Sequence, residues 1–259
     1  MTPLDAVLGI VIGFVSGVLS GLFGVGGGIV MTPGIQVLMG ARPIVALATP
    51  LPAILPTALT GAWTYHRAGQ VDVRAAAWMV GPGIAGAVAG ALLTDVVNTR
   101  VLLVVTALLL AWQAVGILRG ARTRVSQDPQ VRRAAEPWMF LVIGLAAGFV
   151  SGLLGIGGGL IMVPLMVGWL GMPLKVALGT SLLTIVALVI PGTVVHVILG
   201  HIDWAICLVV TLGAVPGARL GAGFALDTKE RTLRLMVGSF LLVVAVLYGV
   251  TELAALLRG

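Results

Sequence analysis

The sequence predicts an all-α, polytopic integral membrane protein made of two homologous repeats of about five helical segments each, with helices broken at glycine-rich stretches. Three observations carry that reading. First, 59% of the 259 residues are hydrophobic and 9% are charged, whereas a soluble domain carries about 25% charged residues. A chain so apolar needs a bilayer as its solvent. Second, Ser20-Gly21-Leu22-Phe23-Gly24-Val25-Gly26-Gly27-Gly28 returns 131 residues later as Ser151-Gly152-Leu153-Leu154-Gly155-Ile156-Gly157-Gly158-Gly159. The same offset, without a gap, pairs Gly13 with Gly144, Pro33 with Pro164, Thr49 with Thr180, Gly69 with Gly200, Asp72 with Asp203 and Arg100 with Arg231. Chance does not hold register over that length. Third, the basic residues flank the apolar runs, and Arg119, Arg122, Arg124, Arg132 and Arg133 fall together between the halves. The net charge of +6 therefore reports orientation in a membrane rather than affinity for nucleic acid.

In chain order, the first apolar run, 4–23, follows Met1-Thr2-Pro3-Leu4-Asp5. That start lacks the basic residues and cleavage site of a signal peptide, so a retained helix is expected. The next, 29–40, begins directly after a triple glycine. At about 12 residues it reaches roughly 18 Å and falls short of a bilayer core of about 30 Å. The third, 43–65, contains Pro50, Pro52 and Pro56, each of which removes a backbone donor, so a kinked or opened helix is expected. Segments 74–93 and 100–118 complete a first repeat over 1–118. A cytoplasmic arginine-rich linker spans 119–136, and the second repeat, 137–259, runs through 137–154, 160–171, 174–198, 204–225 and 232–257. Segment 160–171 is again short and again follows a triple glycine. Trp63, Tyr65, Trp78, Trp138, Trp169 and Trp204 fall near predicted ends, as an interfacial belt would.

The basic residues discriminate between inverted and parallel repeats. If all five segments of a repeat cross, with the linker cytoplasmic, 11 basic loop residues lie inside and 3 outside; if the short segments only re-enter, the count becomes 8 against 6. The positive-inside rule favours five crossings, and hence inverted repeats.

The glycine stretches hold the first candidate chemistry. Neither has the strand or the G-K-[ST] run of a nucleotide-binding loop. Small residues spaced by four, such as Gly13, Gly17 and Gly21, serve close helix packing. A triple glycine at the start of a short helix needs another account, since each glycine costs roughly 1 kcal/mol against alanine in a helix interior. What it offers is bare amides: a helix N-terminus inside the membrane can attract an anion without a charged side chain. Paired broken helices in inverted transporter repeats work in this way. The third and eighth segments add the hydroxyls of Thr49, Thr180 and Ser181, which bind either a ligand or the preceding turn. Arg219, the one basic residue well inside a predicted span, suits an oxyanion or snorkels to the interface. His66, His196 and His201 lie with Asp72 and Asp203 near loops and read as exposed loop residues; no metal-ligand spacing is present. The single cysteine, Cys207, reads as a small core residue.

With S-G-L-[FL]-G-[VI]-G-G-G at Ser20 to Gly28 and Ser151 to Gly159, Pro33 and Pro164, G-T-S-L at Gly179 to Leu182 and H-x-x-x-G-x-x-D at His196 to Asp203, the chain resembles the TauE/SafE family over nearly its whole length. That family consists of bacterial membrane proteins linked to export of sulfite and other sulfur-containing or organic anions. Two positions of the first copy depart: Pro50 stands where the second has Ser181, and Tyr65 where it has His196.

The expectation is a multi-pass bacterial inner-membrane permease, not an enzyme, for a small anion such as sulfite or an organosulfonate. The expected site joins Ser20, Gly24, Gly26, Gly27, Gly28 and Thr49 to Ser151, Gly155, Gly157, Gly158, Gly159, Thr180, Ser181 and Arg219. No catalytic group, metal, cofactor or nucleic acid is expected. Membrane lipid surrounds the chain, and its association with itself is left open. The alternative is a membrane-embedded subunit that binds or senses a partner without transporting anything itself.

Overall fold

A computed structural model describes residues 3–93, 108, 111, 112, 114–119, 136–154 and 157–258. Most of segment 100–118, the linker between Arg119 and Glu136, and Gly155 lie outside the described residues. Among the described residues all regular structure is helical: α1 (Pro3–Phe23), α2 (Gly28–Pro33), α3 (Pro43–Ala48), α4 (Pro50–Arg67), α5 (Val73–Leu93), α6 (Pro137–Leu154), α7 (Gly159–Gly168), α8 (Leu174–Ile198), α9 (Trp204–Asp227) and α10 (Glu230–Arg258). Four stretches, Pro3–Phe23, Ile44–Arg67, Leu174–Ile198 and Trp204–Asp227, are long and apolar enough to cross a membrane. The chain is an all-α polytopic membrane protein.

The breaks follow proline and glycine. Pro33 brings no N–H, and α2 passes into a π-helical turn over Gly34–Leu38. Residues 43–67 form two helices meeting at Thr49, because Pro50 and Pro52 leave the carbonyls of Ala46 and Ala48 without helical donors. In the second half Ser181 and Leu183 stand at those two positions, and α8 is continuous over 25 residues.

Glycine also decides which helices meet. A Cβ added at Gly13, Gly17 or Gly21 of α1 would overlap the carbonyl oxygens of Val210, Ala214 or Ala218 in α9. Gly213, Gly217 and Gly221 lie equally close to the carbonyls of Ile10, Phe14 and Val18. The two backbones touch along their length and run parallel, as small residues allow in lipid. The contact recurs at the 131-residue offset: Gly144 meets the carbonyl of Met79, Gly148 that of Gly83, and Gly86 that of Leu145, joining α6 to α5. Between these pairs α4 and α8 pack antiparallel, with Gly61 against Leu182, Gly179 against Tyr65 and Gly192 against Leu51. Large apolar side chains such as Phe14, Leu212, Leu220 and Phe224 point outward, where lipid would solvate them.

Tyr65 departs from the expected belt. It is fully buried, and its hydroxyl donates to the Gly21 carbonyl at 3.0 Å. That carbonyl lies in the last turn of α1 and lacks a helical partner, so the phenol satisfies it. The five tryptophans of the predicted belt are exposed.

Candidate functional site

Each glycine stretch ends a long helix and starts a short one. Gly24, Gly26 and Gly27 adopt φ of 68°, 84° and 84°, and Gly157 and Gly158 adopt 87° and 72°, a region that side-chain-bearing residues rarely enter. Gly27 and Gly158 stand at the N-caps of α2 and α7. Val30 and Met31 donate back to the Gly27 carbonyl at 3.2 Å, and Ile161 and Met162 to the Gly158 carbonyl at 3.1 and 3.2 Å. The amides of Gly26, Gly27 and Gly28 donate to no protein acceptor among the described residues. In the second stretch the Gly159 amide turns back onto the Gly157 carbonyl at 3.0 Å.

Three carbonyls of the first stretch are tied down by hydroxyls from three helices. Ser16 donates to Gly27, Tyr65 to Gly21, and Ser181 to Gly24 at 2.6 Å. Those three acceptors are thus spent on the protein while the amides of Gly26, Gly27 and Gly28 stay free, and free amides suit an anion. Within the same stretch the hydroxyl of Ser20, wholly buried, is the one buried side-chain polar atom among the described residues without a hydrogen-bond partner.

The two stretches meet. A Cβ added at Gly159 would overlap the Gly24 carbonyl oxygen and lie 2.9 Å from Val25 Cα. Gly157 approaches the Val25 carbonyl, and the Ile185 side chain touches Gly26, Gly157 and Gly159 together. Ser151, in the second stretch, is buried and lines a cavity of about 50 Å³ with Gly152, Leu188, Val189, Gly192 and His196. Such a space admits water or a small ion.

The other expected site residues divide. Thr49 accepts from the backbone amide of Asp203 at 3.1 Å, and Thr180 accepts from that of Asp72 at 2.9 Å. Each hydroxyl, fully buried, holds the start of a helix from the opposite half. The Asp72 and Asp203 carboxylates cap α5 and α9, accepting from Ala75, and from Ala205 and Ile206. Arg219 stands apart. It is exposed and lines a different groove, with Leu59, Thr60, Trp63, Thr64 and Arg67. The reason is helical rotation: at 100° per residue, position 219 points about 200° from Gly217, which faces α1. Gly155 lies outside the described residues.

His196 and His201, expected as exposed loop residues, are half-buried and face each other with Nδ1 atoms 3.2 Å apart. No group of three or more His, Cys, Asp or Glu among the described residues is placed to hold a metal. Sequence reasoning missed Ser16, Tyr65 and Ile185 as parts of the site, and only for Tyr65 was there a signal, its departure from the repeat at His196.

A family model described as "Sulfite exporter TauE/SafE" matches residues 9–248. The chain is 30% identical to "Probable membrane transporter protein YunE" of Bacillus subtilis, over 93% of this chain and 96% of that protein. A "Probable membrane transporter protein" of Xylella fastidiosa is 26% identical, with 95% of each chain covered. One from Methanocaldococcus jannaschii, MJ0441, is 23% identical over 90% and 91%. No solved structure gives a significant match.

Proposed function

The chain belongs to the sulfite exporter TauE/SafE family of membrane transporters, and from that premise we propose that it exports sulfite or an organosulfonate across a bacterial inner membrane by alternating access between two inverted repeats. The observation that carries the site is the Ser20 hydroxyl. A buried hydroxyl without a partner is unfavourable by about 1–3 kcal/mol, and here it shares its stretch with three free glycine amides. An oxyanion would accept from all of them.

Inversion is supported by the antiparallel contact of α4 with α8. These helices occupy equivalent positions at the 131-residue offset, and the contacts Thr49–Asp203 and Thr180–Asp72 exchange under it. Such reciprocity is the mark of a two-fold relation. A two-fold that relates antiparallel helices must lie perpendicular to them, hence in the membrane plane. The loop charges favour the same arrangement.

In this reading the bond from Ser181 to Gly24 holds the first stretch in shape, the threonines fix the crossed helix starts, and the cavity beside Ser151 and His196 lies on the access route. Movement of one repeat against the other would part the stretches, which touch through Gly24 and Gly159.

The test is anion flux in proteoliposomes. The reconstituted protein should move sulfite or a sulfonate and discriminate against a cation of similar size. Failure of every sulfur and carboxylate anion to bind or cross, with another protein copurifying stably, would replace transport by the subunit role.

A further inference from the structure

We propose that the groove between α4 and α9 binds the phosphate group of an anionic phospholipid between Arg67 and Arg219. Both guanidiniums line this groove, of about 710 Å³, and neither forms an ion pair among the described residues. Arg67 stacks over Trp63, with its Cζ 5.3 Å from the ring centroid. The hydroxyls of Thr60 and Thr64 donate to the carbonyls of Pro56 and Thr60 in their own helix, at 2.8 and 2.9 Å. Anion affinity therefore rests on the two arginines, whose planar forks fit a phosphate. Two cations lining one groove repel, and an anion between them relieves that repulsion.

The identity of the anion follows from what surrounds the groove. Leu59, Trp63 and Leu220 are 54%, 55% and 59% exposed, on helices long enough to cross the membrane. The groove opens sideways, toward lipid. The Thr49–Asp203 contact sets the starts of α4 and α9 side by side; Arg67 lies 18 residues beyond Thr49 and Arg219 lies 16 beyond Asp203, so the two stand at about the same level. From that level the lining passes along α4 to the indole of Trp63 and then to Leu59, about one and two turns from Arg67, and so changes from charge to indole and leucine. A phospholipid has the same sequence of polarity; a free inorganic anion does not. With the orientation favoured by the loop charges, this is the cytoplasmic leaflet. The inference does not depend on which substrate the transporter carries.

Native mass spectrometry of the intact protein released from phosphatidylglycerol/phosphatidylcholine nanodiscs tests it. The wild type should retain one phosphatidylglycerol in preference to phosphatidylcholine. Arg67→Gln with Arg219→Gln should lower retention at least tenfold, and Arg219→Lys should lower it less than Arg219→Gln. Trp63 should be quenched by brominated phosphatidylglycerol, as the difference from Trp63→Phe. Equal retention by the double variant would overturn the site. Displacement of the lipid by millimolar inorganic phosphate or sulfite would overturn the lipid identity and assign the groove to a free oxyanion. Both arginines are exposed, so the variants should fold, and a monodisperse elution profile checks that they do.

Discussion

Replacing Ser20 by alanine deletes a single oxygen from a position closed to solvent, and the proposed site gives that deletion opposite effects on stability and on binding. In the ligand-free protein the hydroxyl has no partner, so its loss should stabilise the fold. The unpaired group costs about 1–3 kcal/mol, and alanine gains a few tenths more as a helix former near the end of α1. On the scaling of soluble domains, each kcal/mol raises Tm by about 2–4 °C. Binding should move the other way. A hydrogen bond to a charged partner contributes about 1.5–3 kcal/mol, and every 1.4 kcal/mol is about tenfold, so anion affinity should fall by about 10- to 150-fold. Differential scanning fluorimetry of the detergent-purified protein, with and without sulfite, reads both signs at once: a higher baseline Tm and a smaller ligand-induced rise. Proteoliposome flux at subsaturating anion should fall by the same factor. A variant with unchanged or lower baseline Tm, or with wild-type flux, refutes the reasoning, since the hydroxyl would then be either satisfied by the protein or irrelevant to the anion. Gly158→Val would be a poorer probe, because an added Cβ at this left-handed position would lie 2.8 Å from the Ala147 carbonyl oxygen and would damage the fold as well.

Thr49→Val and Thr180→Val should destabilise by similar amounts, about 1–3 kcal/mol each, because each strands one backbone amide of an aspartate across the repeat boundary; thermal melts showing one variant silent would break the two-fold reading. Gly17→Ala should prevent α1 and α9 from closing and sharply lower the yield of folded protein, whereas Gly223→Ala, which meets nothing within 4 Å, should be neutral or stabilising by up to about 1 kcal/mol; size-exclusion profiles of the two separate them. Tyr65→Phe leaves the Gly21 carbonyl without its donor and should lower Tm together with flux. In a Cys207→Ala background, Gln70→Cys and His201→Cys should be labelled from opposite sides of the membrane by an impermeant maleimide, and labelling from the same side would exclude inverted repeats.

Composition and the repeat made the helical membrane fold legible, and the triple glycines located both breaks. The prolines of segment 43–65 announce a kinked or opened helix, and the helix is interrupted at Thr49, because a missing N–H acts locally, whatever the tertiary context. Partnership between helices was not legible. Four-spaced glycines occur on α1, α6 and α9 alike, and in lipid no hydrophobic drive singles out which small face meets which. The crossed pairing of α1 with α9 therefore needed coordinates. Side-chain direction was the other blind spot. An aromatic near a helix end is as compatible with a belt as with burial, and Tyr65 is buried; a cation at depth is as compatible with a cavity as with the outer face, and Arg219 is on that face. For the hydroxyl of Ser181 the sequence leaves a ligand or the preceding turn; it reaches the Leu178 carbonyl of that turn and also the Gly24 carbonyl, the latter a partner that depends on where the first stretch folds back.

The crossed glycine seam has a consequence for how the protein is made. About 180 residues separate the end of α1 from the start of α9. At about 5–20 residues per second of synthesis, α1 waits in the bilayer for roughly 10–40 s before the helix that covers Gly13, Gly17 and Gly21 exists. During that interval its bare, glycine-lined flank is open to any passing transmembrane segment of similar shape. Insertion of this chain is thus a problem of timing, in which a helix made early finds its neighbour only after most of the intervening chain has followed.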